Sequence, residues 1–144
     1  TAMVFMMHHC GVNCYLADPV KFGGVLRDAA AGKHLSTLAF SEKGSRSQFW
    51  APVSKAVASG SGVSLSAEKS WVTSAGIADG IVSSCGSETG PGPAVYLVKK
   101  GDAGVIVCGG WNSLGMRGSK VAGAFSGKRM RNKDVRRGNF GLCE

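Results

Sequence analysis

The chain has 144 residues, enough for one ordinary domain with a single buried core. Its 44% hydrophobic and 18% charged content excludes a disordered chain, and its 22 glycines, scattered without a three-residue period, suit many turns between short strands. The formal charge of +8 raises nucleic acid as a partner, but nearly all the excess lies between Arg117 and Arg137, where Asp134 alone opposes the cations.

The segment 1–17 has no β-alternation and no internal proline, and its Ala, Met and Leu favour helix. His8, His9 and Asn13 interrupt its apolar run, which is short for a membrane span, so the helix is expected to be buried in protein. Asp18-Pro19 ends it, and together they can open a second helix over about 20–30, with Gly32 as the stop signal. From His34 the period changes. Short β-type runs are predicted at 35–40, 51–58, 63–66, 70–73, 80–84, 94–98 and 105–107, separated by turn clusters such as Glu42-Lys43-Gly44-Ser45 and Lys100-Gly101-Asp102. The last third, 121–135, alternates only weakly. The predicted fold is mainly β: an antiparallel β-barrel-like domain preceded by two short helices.

Two stretches carry chemistry. The first, Leu38-Ala39-Phe40-Ser41-Glu42-Lys43-Gly44-Ser45-Arg46-Ser47, ends a strand in a polar loop whose N–H groups and hydroxyls can approach a flat or anionic ligand. The second is Glu68-Lys69-Ser70-Trp71-Val72-Thr73-Ser74-Ala75-Gly76-Ile77-Ala78-Asp79. On a strand, Trp71 and Thr73 share one face, and an aromatic plane beside a hydroxyl suits an aromatic heterocycle. Each stretch alone also fits a plain surface turn or a core tryptophan.

Together they are more specific. The first resembles the acyl-CoA dehydrogenase loop written T-E-x-x-x-G-S-D, and the second is similar to that family's K-x-W-I-T-N-x-x-x-A-D segment, in the same order. Leu114-Gly115-Met116-Arg117-Gly118-Ser119 resembles the family's L-G-x-R-x-S. The opening, with Val25-Leu26-Arg27-Asp28 and Ala31-Gly32-Lys33, is similar to the last helices of its N-terminal domain. The resemblance implies three parts: 1–33 as the end of that helical domain, 34–138 as the middle β-domain, and 139–144 as a stub of the C-terminal domain.

It also implies FAD as cofactor, with Phe40, Ser41 and Ser47 along the flavin, Trp71 packed beside its isoalloxazine and Thr73 near its N5 edge. A donor at that edge stabilises the electron-rich reduced flavin. Arg117 and Ser119 are implied on the acyl-CoA side. The family's C-terminal helical domain, which supplies the carboxylate base, is expected to be absent from this chain, so the resemblance implies an incomplete catalyst; Glu42, Glu68 and Glu88 are carboxylates with no implied role. Departures are Ser41 for Thr, Arg46 for Gly, Gln48 for Asp and Ser74 for Asn. In the final strand, Lys128, Arg131 and Arg137 replace apolar residues or proline, and burying three unpaired cations is prohibitive.

Other constellations are weaker. His8-His9-Cys10 with Cys14 holds ligand-type residues but no second ligand pair, so no metal is expected. There is no G-x-S-x-G, Walker A or G-x-G-x-x-G motif. The five cysteines, at 10, 14, 85, 108 and 143, have no disulfide-framework spacing, so free thiols and a reducing, cytoplasmic compartment are expected. The cations between Arg117 and Arg137 suit nonspecific polyanion binding or a solvated edge that resists strand association. With helix and barrel faces bared, a homo-oligomer is expected.

Overall fold

A computed structural model describes residues 2–46, 48–59, 62–108, 114–116 and 124–127. The apolar opening is helix α1 (Ala2–Tyr15), and the second helix, α2, runs Gly23–Ala30. Asp18 accepts the Lys21 N–H at 3.0 Å as a turn former, but α2 starts later than predicted, at Gly23, with no side-chain cap. Its end matches the stop signal: Gly32 takes φ +71°, its N–H donates to Ala29, and the Lys33 N–H donates to Asp28 at 2.8 Å. These paired bonds satisfy carbonyls that the helix end would otherwise orphan.

Among the described residues eight strands follow: β1 (Ser36–Ala39), β2 (Lys55–Ser59), β3 (Gly62–Ser66), β4 (Glu68–Lys69), β5 (Gly80–Gly86), β6 (Pro93–Lys99), β7 (Val105–Cys108) and β8 (Ala124–Gly127). β1, β2, β3, β5 and β6 form one sheet; β4, β8 and β7 form a second. The expected antiparallel barrel is corrected in two respects. Among the described residues the sheets do not close into a barrel, and the larger one is mixed, with β5 parallel to β1 and to the start of β2 but antiparallel to β6. The cause is the connection: β1 and β5 are joined by a long crossover holding the β2–β3 hairpin and β4, so the chain re-enters the sheet in the same direction.

β5 is buried through Cys85 on both faces, as a central strand covered on two sides must be. Its alternation divides the core. Ile81 and Cys85 join Ala94, Tyr96 and Val98 of β6 and Leu65 of β3 on one face. Val82 and Leu97 meet Tyr15, Val12, Phe22, Leu26, Leu38 and Phe40 on the other, beneath the helices. α1 sits on β1 through Ser36, whose N–H donates to His8 Nδ1 at 3.1 Å and whose hydroxyl lies 2.8 Å from the Tyr15 hydroxyl. Gly11 permits this approach, because a Cβ there would overlap the Ser36 side chain.

Among the described residues no helix is long and apolar enough to cross a membrane.

Candidate functional site

The first stretch leaves β1 and folds back onto β4. Glu42 forms a bridge with Lys69, the Lys43 N–H donates to the Glu68 carbonyl, and the Ser70 N–H donates to the Ser41 carbonyl at 2.9 Å. Ser45 closes the turn by donating its hydroxyl to the Glu42 carbonyl at 3.0 Å. The second stretch is anchored at its middle and at its end. The Thr37 hydroxyl donates to the Thr73 carbonyl at 2.6 Å, and Asp79 Oδ2 accepts the Leu35 N–H at 2.8 Å. The two stretches therefore meet in space at 41 and 70, and Thr37, just ahead of the first, lies beside 73.

The predicted strand 70–73 is corrected. Only Glu68–Lys69 is strand, and 71–77 are bends, a bridge and turns in which Trp71 and Ser74 adopt left-handed φ of +59° and +60°. Trp71 and Thr73 accordingly do not share an exposed face: Trp71 is 66% exposed, whereas Thr73 is 6% exposed. The backbone reverses sign at Trp71, so the period-2 alternation of a strand no longer fixes which side a residue takes. A bulky residue in this region is uncommon and destabilised relative to glycine. Such outliers concentrate where a surface is held for a ligand.

Phe40 is half-buried in the core under the helices, and its carbonyl accepts the Ser84 hydroxyl at 3.4 Å. Ser41 is half-buried beside it. Ser47, Arg117 and Ser119 lie outside the described residues, as do the cations from Lys128 to Arg137. Arg46, standing where the similar loop has glycine, takes φ +50°, a left-handed conformation that glycine adopts freely and arginine does not.

Sequence reasoning gave no role to the charges at the centre of this junction. Lys69 is 0% exposed, and its ammonium donates to Glu42 Oε1 at 2.6 Å, to the Ser84 carbonyl and to the Ser84 hydroxyl at 3.4 Å. All three of its protons are used. Glu42 Oε2 accepts the Val53 and Ser54 N–H groups at 2.6 and 2.9 Å, and the Ser54 hydroxyl donates to Oε1. Burial pushes the Glu42 carboxyl up, but the hydrogen bonds from Lys69 and Ser54 and the ammonium charge more than reverse this, leaving it below its ordinary range. The one signal in the sequence was that Glu42 and Lys69 are charged members of the two stretches.

The other carboxylates are also engaged: Glu68 pairs with Lys43 at 3.3 Å on the surface, and Glu88 accepts the Tyr96 hydroxyl. His8 accepts a backbone N–H and the Cys14 thiol donates to the Cys10 carbonyl. Among the described residues no three His, Cys, Asp or Glu side chains lie close enough to hold a metal ion.

A family model described as "Acyl-CoA dehydrogenase, middle domain" matches residues 37–129. No curated protein sequence matches the chain. Among solved structures, the chain is similar to a probable acyl CoA dehydrogenase from Mycobacterium abscessus at 21% identity and TM-score 0.78, covering 90% of this chain and 36% of that one. It is similar to a glutaryl-CoA dehydrogenase from Mycobacterium smegmatis in complex with FADH2 at 20% identity and TM-score 0.67, covering 78% and 29%. It is also similar to PigA in its FAD complex at 18% identity and TM-score 0.71, covering 92% and 38%. The chain thus spans about a third of the length of these structures, and at such identities the likeness shows the fold.

Proposed function

The chain belongs to the acyl-CoA dehydrogenase family through its middle domain, and from that premise we propose that it supplies the flavin-facing β-domain for α,β-dehydrogenation of acyl-CoA thioesters. The observation that carries the reading is Trp71, a large ring two-thirds exposed on a left-handed residue, beside Ser41 and the buried Thr73. An aromatic plane held out by a strained turn, with hydroxyl residues on a hydrogen-bonded frame beneath it, fits a flat heterocycle. The buried Glu42 and Lys69 charges neutralise each other, so neither opposes docking of an apolar ring as an unpaired ion.

In this reading Phe40, Ser41 and Ser47 lie along the flavin, Trp71 packs against its ring system and Thr73 serves its N5 edge. FAD, when bound, supplies the two-electron redox chemistry; the protein's part is to orient it and exclude water. Arg117 and Ser119 serve the acyl-CoA side. Glu42, Glu68 and Glu88 are given no proton-transfer role, because each already has a partner. The parts are 1–33 as the end of the N-terminal helical domain, 34–138 as the β-domain and 139–144 as the start of the C-terminal one. The exposed apolar side chains of α1 and β2 favour a homo-oligomer, and thiols held as free Cys10, Cys14 and Cys85 suit a reducing compartment such as the cytoplasm.

Visible absorption of the purified chain with FAD and then an acyl-CoA tests this. A resolved, protein-bound flavin band is expected, and Trp71→Ala is expected to weaken flavin binding at least about tenfold, on the scale of a lost aromatic contact. Bleaching on adding the acyl-CoA would show turnover. A chain that never takes up flavin would overturn the proposal, and binding of a polyanion that collapses steeply with salt would then favour the cations between Arg117 and Arg137 as the working surface.

A further inference from the structure

The Glu42–Lys69 pair is buried where burial is least favourable for charge. Its side chains are 3% and 0% exposed, and desolvating two ions offsets most of their attraction. A hydrophobic pair of similar size would serve stability as well. What the ions provide is direction. Lys69 donates to β5 at Ser84 and to the first loop at Glu42, and Glu42 in turn fixes the Val53 and Ser54 amides ahead of β2. Ser84 also donates its hydroxyl to the Phe40 carbonyl. Four separate chain segments are therefore tied at one point. Lys69 lies two residues before Trp71, and Glu42 lies directly after Ser41.

We propose that Glu42 and Lys69 are positioning residues, which hold the segment carrying Phe40 and Ser41 at a fixed distance from the segment carrying Trp71 and Thr73. This rests on the flavin reading above, since those four residues are its contacts. The clamp acts through geometry: the carboxylate accepts four hydrogen bonds and the ammonium gives three, so neither segment can slide without orphaning a buried polar atom.

The test uses the full 144-residue chain and the double variant Glu42→Gln/Lys69→Met. Gln keeps an acceptor for the Val53 and Ser54 amides, and Met fills the lysine's volume without charge. Two readouts are made: FAD affinity by titration of the visible band, and amide hydrogen exchange. The variant is expected to keep the circular dichroism of the parent and to bind FAD at least about tenfold more weakly, one factor of ten being the smallest change that separates repositioning from scatter. The amides of Lys43 and Ser70, which bridge the two segments, should exchange at least about tenfold faster, while Val82 and Leu97 in the β5–β6 ladder stay unchanged.

Unchanged affinity and unchanged exchange at Lys43 and Ser70 would overturn the proposal. If the parent chain itself takes up no FAD, the flavin reading fails, and the exchange readout still decides whether the pair clamps the segments. Should the double variant not fold, Lys69→Arg keeps the charge but replaces a compact three-proton head with a planar fork. Selective loosening of Lys43 and Ser70 in that variant supports the clamp, and parent-like exchange refutes it.

Discussion

At the scale of single residues, environment decides what a side chain's chemistry can do. Glu42 is a free carboxylate in the sequence and a fully bonded structural anion in the fold, held ionised by Lys69 and Ser54. His8 is similar. It sits in a histidine pair with ligand character, yet its Nδ1 accepts the Ser36 amide proton, which requires the nitrogen to be unprotonated. Burial, and then the neighbouring His9, lower its pKa from the ordinary 6.5. The unfolded chain therefore binds this proton more readily than the folded one. The stabilisation is fully present above about pH 6.5 and is lost as pH falls through the lower, folded-state value. The melting temperature is expected to drop between pH 7.5 and 5.5, and His8→Asn, which keeps an acceptor near the Nδ1 position but does not titrate, should flatten that drop. Parallel curves for parent and variant would show that His8 has no share in it.

The elements show why some boundaries were legible and others not. α1, the end of α2, β1, β3, β5, β6 and β7 lie within a residue or two of their predicted runs, because period, turn residues and the Gly32 stop are local properties. β2 is shorter than 51–58 and begins at Lys55. The second motif's strand also moved, to 68–69, since Lys69 is drawn inward by Glu42 and Ser84 and the chain turns at Trp71. How α1 meets β1 was not readable at all, as it depends on the absence of a side chain at Gly11. Gly11→Ala is expected to destabilise by about 1–3 kcal/mol through overpacking against Ser36. Gly24→Ala, in α2 with nothing within 4 Å of the added carbon, should stabilise by about 0.5–1 kcal/mol through helix propensity. Denaturant midpoints of the two variants should move in opposite directions; a shift of the same sign would contradict the docking of α1 on β1.

For the whole molecule, the question is what its apolar surface meets. Phe5 (65% exposed), Met6 and Leu16 stand out from the first helix and its end, and Phe49, Trp50, Val53 and Val57 from the approach to β2 and the strand itself. Surface apolar residues in such groups drive association. Light scattering at working concentration is expected to give a mass of at least two chains, and a strictly monomeric mass would count against the proposed homo-oligomer. The solved structures to which the chain is similar are about two and a half times its length, and the match covers about a third of each.

The sequence by itself determined the family, the two helices, most strands and the two polar stretches, because turn chemistry, hydrophobic period and motif spacing are written locally. Tertiary structure alone decided the rest. The parallel alignment of β1 with β5 follows from a long crossover whose direction no local pattern encodes. The exposure of Trp71 follows from a left-handed turn, and the inward lysine from a carboxylate 27 positions away in the chain. A charge can be buried only if its partners arrive from elsewhere in the fold, and that meeting exists nowhere in the linear order of residues.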